Sequence, residues 1–144
     1  MLDQSHKNIL EKTKEAKLSE TPVSVFMNSH AISLRENYSV KTTIDTFNTH
    51  HISGAPVVNF ENKIVGVISE YDLLIEAASK PLSSHIDFKT TITSVFPDTT
   101  LKELLIIFYK QKLKWVPVVN KENYVQGVVS RMDLLEFIAS HSKI

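Results

Sequence analysis

The chain has 144 residues, 42% of them apolar and 22% charged, with Lys plus Arg and Asp plus Glu balanced at 16 each. Such a composition suits one compact unit or two small ones sharing a core, and gives no footing for a disordered chain, a nucleic-acid tail or a membrane-surface patch. The balance hides an asymmetry: residues 1–78 carry 7 basic and 10 acidic side chains and residues 79–144 carry 9 and 6, so the halves sum to −3 and +3.

In chain order, residues 5–17 are polar with mixed charge and predict a leading helix rather than a signal peptide, which needs an apolar stretch. No apolar run approaches the roughly 20 residues that cross a bilayer, so a soluble, cytoplasmic chain is expected. Val40, Ile44 and Phe47 fall at i, i+4 and i+7, the stripe of an amphipathic helix. Two short β-branched runs follow, Ala55-Pro56-Val57-Val58 and Ile64-Val65-Gly66-Val67-Ile68. The five residues 59–63 between them place an Asn where a hairpin wants φ above zero. Ser69 then opens a helix, and Lys80-Pro81-Leu82-Ser83-Ser84 reads as a linker.

The pattern then recurs. Residues 52–78 align with 113–139 at an offset of 61 without a gap, and 13 of the 27 pairs are identical. The offset continues upstream through Ser33 and Ser94, Lys41 and Lys102, and Phe47 and Phe108. Leu101, Leu105 and Phe108 repeat the helical stripe, Thr100 and Glu103 have capping-box spacing, Asn123 repeats the hairpin Asn, and Ser130 repeats Ser69. Each copy therefore reads as strand, helix, strand, strand, helix. One such unit cannot cover its own apolar faces; two packed sheet to sheet can.

A lead-in Val23-Ser24-Val25-Phe26-Met27, a hydrophobic-Pro-Val-Val-Asn strand and Gly-h-h-Ser-x-x-Asp entering a helix, in this order and twice, resemble the CBS domain, named for cystathionine β-synthase. Such domains occur as pairs called Bateman modules. The resemblance implies an α/β (α+β) fold of two tandem β-α-β-β-α repeats with pseudo-two-fold symmetry, divided as 1–22 lead-in helix, 23–79 first repeat, 80–88 linker and 89–144 second repeat. It also implies two clefts between the repeats, homodimerisation into a disc, and binding of AMP, ADP, ATP or S-adenosylmethionine as a regulatory ligand, with no cofactor required.

In family members that bind such ligands, the Asp of the last motif accepts from the ribose hydroxyls. Here it is present twice, as Asp72 and Asp133. A carboxylate suits a vicinal diol, and a helix N-terminus offers N–H groups to phosphate oxygens. Ser69 and Ser130 stand one turn earlier, yet Ser-x-x-Asp is equally a helix-capping arrangement. Between Ser and Asp the copies diverge, with Glu70-Tyr71 in the first and Arg131-Met132 in the second. A guanidinium bonds a phosphate where a carboxylate repels it, which points to the cleft of Ser130, Arg131 and Asp133. The resemblance further implies base contacts from Thr91, Thr93, Lys114 and Val116 in the second copy, with the adjoining Pro117, and from His30, Ile32, Ser53, Ala55 and Pro56 in the first. Lys110, Lys112 and Lys114 add positive field, and Trp115 reads as a packing or dimer aromatic or as a base stack.

Other chemistries find no support. With no cysteine, disulfides, thiolate metal sites and a cysteine nucleophile are excluded. The six histidines lack ligand spacing, and no phosphate loop, nucleophile elbow or dinucleotide fingerprint occurs. A catalytic or metal-binding chain is therefore not expected, nor one that binds nucleic acid or membrane. Two readings remain: a sensor whose adenosine ligand shifts the packing of the repeats, read by an effector protein on another chain, or a ligand-free dimerisation module.

Overall fold

A computed structural model of the chain describes residues 3, 4 and 17–141. The helix expected over 5–17 lies outside the described residues except for Lys17, which takes a left-handed conformation (φ 60°) before two 3-10 turns, Leu18–Glu20 and Val23–Val25. The first repeat then runs β1 (Leu34–Arg35), α1 (Val40–His50), β2 (Gly54–Val58), β3 (Ile64–Ser69) and α2 (Glu70–Ser79). The second contributes α3 (Leu101–Gln111), β4 (Trp115–Val119), β5 (Val125–Ser130) and α4 (Arg131–Ser140). The fold is α+β, two repeats of one unit. In the second, the expected first strand shrinks to a single parallel bridge, Val95 to Val118, equivalent to Leu34 against Val57.

Each hairpin turns on the Asn that the pattern singled out: Asn62 and Asn123 have φ of 64° and 70°, which Asn tolerates better than most residues. Each first helix starts on a hydroxyl cap, Ser39 accepting from Thr42 N–H and Thr100 from Glu103 N–H. The buried rows are Val40, Thr43, Phe47 and Leu101, Leu104, Phe108, so Ile44 and Leu105 sit at the margin of their stripes.

The core that two sheet-packed repeats were expected to share is instead two clusters, each closed by a segment from outside its own repeat. Leu18 and Val23 are buried among Val95, Leu101, Leu104, Val116 and Leu134, with Phe26 and Met27 against them. Asn28 pairs with Val128 in both directions at 2.8 and 3.0 Å. Reciprocally, Ile86 and Phe88 pack into the cluster of Leu34, Val40, Phe47, Val57 and Ile68, and Lys89 pairs with Val67 at 2.9 and 3.0 Å. The lead-ins are exchanged, so residues 82–89 are not a free linker but the edge of the first repeat. Glu76 and Asp87 both reach Lys80 Nζ (2.6 and 3.3 Å) and fix the bend; hydrogen bonding to Glu76 first, and to Asp87, raises the Lys80 pKa above the usual lysine value.

Candidate functional site

Where the two repeats meet, a cleft of about 740 Å³ opens between α2 and the strand β4. Strand alternation decides what lines it. Along β4, Trp115 and Pro117 line the cleft and Val116 points into the core, fully buried; Ala55 is likewise buried among the first repeat's core residues. Val116 and Ala55 are therefore corrected to core residues. The indole of Trp115 lies over Gly54, where an added Cβ would come within 2.8 Å of Cε2, so this wall of the cleft depends on a residue without a side chain.

At the head of α2 the Ser69–Asp72 capping box is complete. Asp72 Oδ2 accepts from Ser69 N–H (3.1 Å) and Ser69 Oγ–H (2.9 Å), while Ser69 Oγ accepts from Asp72 N–H (3.1 Å). Glu70 N–H donates to Ser53 O at 2.7 Å. Three of the four N–H groups at this helix start are thus already satisfied, and the expected helix-end cradle for phosphate is largely spent. The other carboxylate oxygen, Oδ1, faces the ammonium of Lys89 at 3.5 Å. Burial acts to raise the Asp72 pKa, but the hydrogen bonds from the Ser69 hydroxyl and N–H and the charge of Lys89 outweigh it and hold the carboxyl below its ordinary value. The same box exists at α4, where Ser130 N–H donates to Asp133 Oδ2 (2.8 Å) and Asp133 N–H to Ser130 Oγ (3.0 Å).

Around Asp72 stand Lys89, Lys112, Lys114, Thr91, Thr93 and Ser53, with Val67, Leu113 and Tyr71 supplying apolar surface. Thr93 Oγ donates to Gln111 Oε1 (2.7 Å), which ties the cleft to the end of α3. Lys112 follows as a non-glycine residue in the left-handed region, φ 53°. Three lysines against Glu70 and Asp72 leave one net positive charge.

This grouping corrects the sequence reading. Thr91, Thr93, Lys114 and Pro117 were associated with Asp133, but they line the cleft of Asp72, because the second repeat sets its strand β4 against the helix start of the first. Ser130, Arg131 and Asp133 stand at the start of the opposite helix, with Arg131 exposed and its N–H bonded to Lys114 O at 2.9 Å. Ile32 is half-buried, Pro56 is buried within β2, and Ser53 lines the Asp72 cleft. Lys89 was missed altogether: it lay one residue beyond the supposed linker, and only the exchange of lead-ins brings it to the site. Among the described residues no cluster of His, Asp or Glu suits a metal ion, and no helix is long and apolar enough to cross a membrane.

Two β-α-β-β-α units with exchanged lead-ins and an inter-repeat cleft define a tandem-repeat α+β module. The CBS domain family matches residues 23–79 and 85–140, and the chain belongs to it. It is 30% identical over 130 residues to inosine-5'-monophosphate dehydrogenase of Aquifex aeolicus, an alignment covering 88% of this chain and about a quarter (25%) of that enzyme. Its fold matches the CBS domain pair of protein MJ0100 in complex with 5'-methylthioadenosine and S-adenosyl-L-methionine, with a TM-score of 0.75 and 22% identity over 85% of this chain and 98% of that one. It likewise matches CBSX2 in complex with AMP, with a TM-score of 0.75 and 21% identity over 83% and 96%.

Proposed function

We propose that the chain is a regulatory module that binds an adenosine compound, among AMP, ADP, ATP and S-adenosylmethionine, in the Asp72 cleft, and that occupancy is read by an effector protein. One observation carries this reading: a carboxylate whose capping duty uses only Oδ2 keeps Oδ1 toward a cleft lined by an indole, two threonines and three lysines. The oxygen suits a ribose hydroxyl, the indole and apolar wall a base, and the lysines phosphate. Capping and ligand binding are then two duties of one side chain. Two solved pairs of this fold are held in complex with adenosine ligands, which supports the same class.

Calorimetry with the four compounds, followed in parallel by the emission of Trp115, the chain's one tryptophan, tests it. Binding is expected in the wild type, with about 2.7 kcal/mol of added stability at one hundred times Kd. Asp72→Ala should abolish it and Asp133→Ala should leave it. Silence from all four at millimolar concentration would return the chain to the ligand-free reading. Loss in Asp133→Ala alone would move the site to the other helix.

A second reading, a homodimer, has its own observation. Tyr71 and Leu74 on α2 and Met132 and Leu135 on α4 are large, apolar and more than half exposed at equivalent places in the two repeats, and Ile75 extends the first stripe where the second has Glu136.

A further inference from the structure

We propose that Lys89 makes the Asp72 cleft selective for phosphorylated over uncharged adenosine compounds, by holding the carboxylate oxygen meant for ribose until a phosphate draws its ammonium away. The inference rests on the adenosine reading above. Ser69 takes Asp72 Oδ2 with both its N–H and its hydroxyl, so Oδ1 is the oxygen left for a ligand. That oxygen is the one Lys89 Nζ approaches, at 3.5 Å. A nucleoside hydroxyl must compete with the ammonium for it.

The terms of the competition depend on ligand charge. The Lys89 side chain is 69% exposed, and exposed ion pairs at such distances are weak, so the ammonium leaves readily when another anion is near. Its backbone does not leave: Lys89 N–H and C=O are both bonded to Val67 at the edge of β3, so the side chain swings from a fixed root. Lys112 and Lys114 line the same cleft from the other repeat. A phosphate meeting all three cations repays Lys89 for the bond it gives up, through charge-assisted contacts. An uncharged nucleoside displaces it with nothing in return, and a cationic one adds repulsion.

The molecule carries its own comparison. Asn28 occupies the equivalent position, with the same two backbone bonds to Val128, and brings no charge to Asp133. Of the two capping aspartates, Asp72 thus has a lysine at this position and Asp133 an asparagine.

The test compares ATP with 5'-methylthioadenosine, which is uncharged, by calorimetry at fixed salt on wild type, Lys89→Asn and Lys89→Arg. In Lys89→Asn, ATP binding should weaken about tenfold, the scale of one charge-assisted bond, while 5'-methylthioadenosine binds equally well or better. Lys89→Arg should keep the wild-type preference. Equal weakening of both ligands, or no change in either, would overturn the role of Lys89 while leaving the adenosine site in place, provided Asp72→Ala still abolishes binding. If the wild type binds neither compound, the site reading and this one fall together. Thermal unfolding of Lys89→Asn without ligand should stay near wild type, since the side chain is largely solvated.

Discussion

Asp72 sits where three demands converge: it caps α2, pairs with a lysine and faces a cleft. Its depressed pKa has a consequence for stability. A carboxyl that titrates lower in the folded than in the unfolded chain, where aspartate lies near about 3.9, contributes stability above that value and loses it as pH falls through the lowered folded pKa. Asp72→Asn keeps an oxygen for Ser69 but cannot ionise. Its deficit against wild type, roughly 0.5 to 1 kcal/mol by denaturant unfolding at pH 7, should therefore narrow as pH drops below about 4. A deficit that stays constant down to pH 2 would mean that shape, not charge, is what Asp72 supplies. The two readings of Ser-x-x-Asp that sequence left open are, at the level of atoms, compatible, because a carboxylate has two oxygens and the cap needs one.

Between elements, the decisive contacts are those of the exchanged lead-ins, and they explain two of the chain's 3 glycines. A Cβ at Gly66 would lie 2.6 Å from Lys89 O, and one at Gly127 2.6 Å from Asn28 O. Backbone, unlike a side-chain tip, cannot step aside. Gly66→Ala and Gly127→Ala should each cost about 1 to 3 kcal/mol, with the affected lead-in losing amide-exchange protection first. If both variants unfold at wild-type denaturant concentrations, the lead-ins are not held as described. Helices and hairpins were legible in sequence because their signals are local: the stripe at Phe47 and Phe108, the Asn of each hairpin, and the serine before each last helix. The exchange was not legible, because Val23 and Leu134 meet across more than a hundred residues and nothing local in either names the other. Most errors at the site follow from that. Lys89, just past the linker, carried no local signal, and Thr91, Thr93 and Lys114 were given to the Asp of their own copy rather than to the one whose cleft they line. Val116 and Ala55 were a different kind of error, since strand alternation from Trp115 and Pro117 already sends Val116 inward.

At the scale of the whole molecule, the duplication that repeats the Ser-x-x-Asp helix start also repeats the exposed stripe, on α2 and again on α4. A patch present at equivalent places in both repeats suits an isologous interface, in which a second copy of the chain covers both stripes at once. Each leucine fully buried there adds about 1.5 to 3 kcal/mol, so removal of one should be visible in assembly. Leu135 is the cleaner probe, because Leu74 and Tyr71 line the cleft as well as the stripe, whereas Leu135 is 58% exposed on the other helix. Wild type should sediment as a dimer at tens of micromolar, and Leu135→Asp as a monomer with an unchanged far-ultraviolet dichroism spectrum. A wild type that sediments as a monomer at these concentrations would leave the stripes for a different partner. The sharing of Tyr71 and Leu74 makes a further demand, because linkage is reciprocal: whatever factor a nucleotide applies to dimer dissociation, dimerisation must apply to nucleotide affinity. Nucleotide affinity measured on wild type and on Leu135→Asp should therefore differ by that factor, and equal affinities would mean that α2 holds ligand and partner without connecting them.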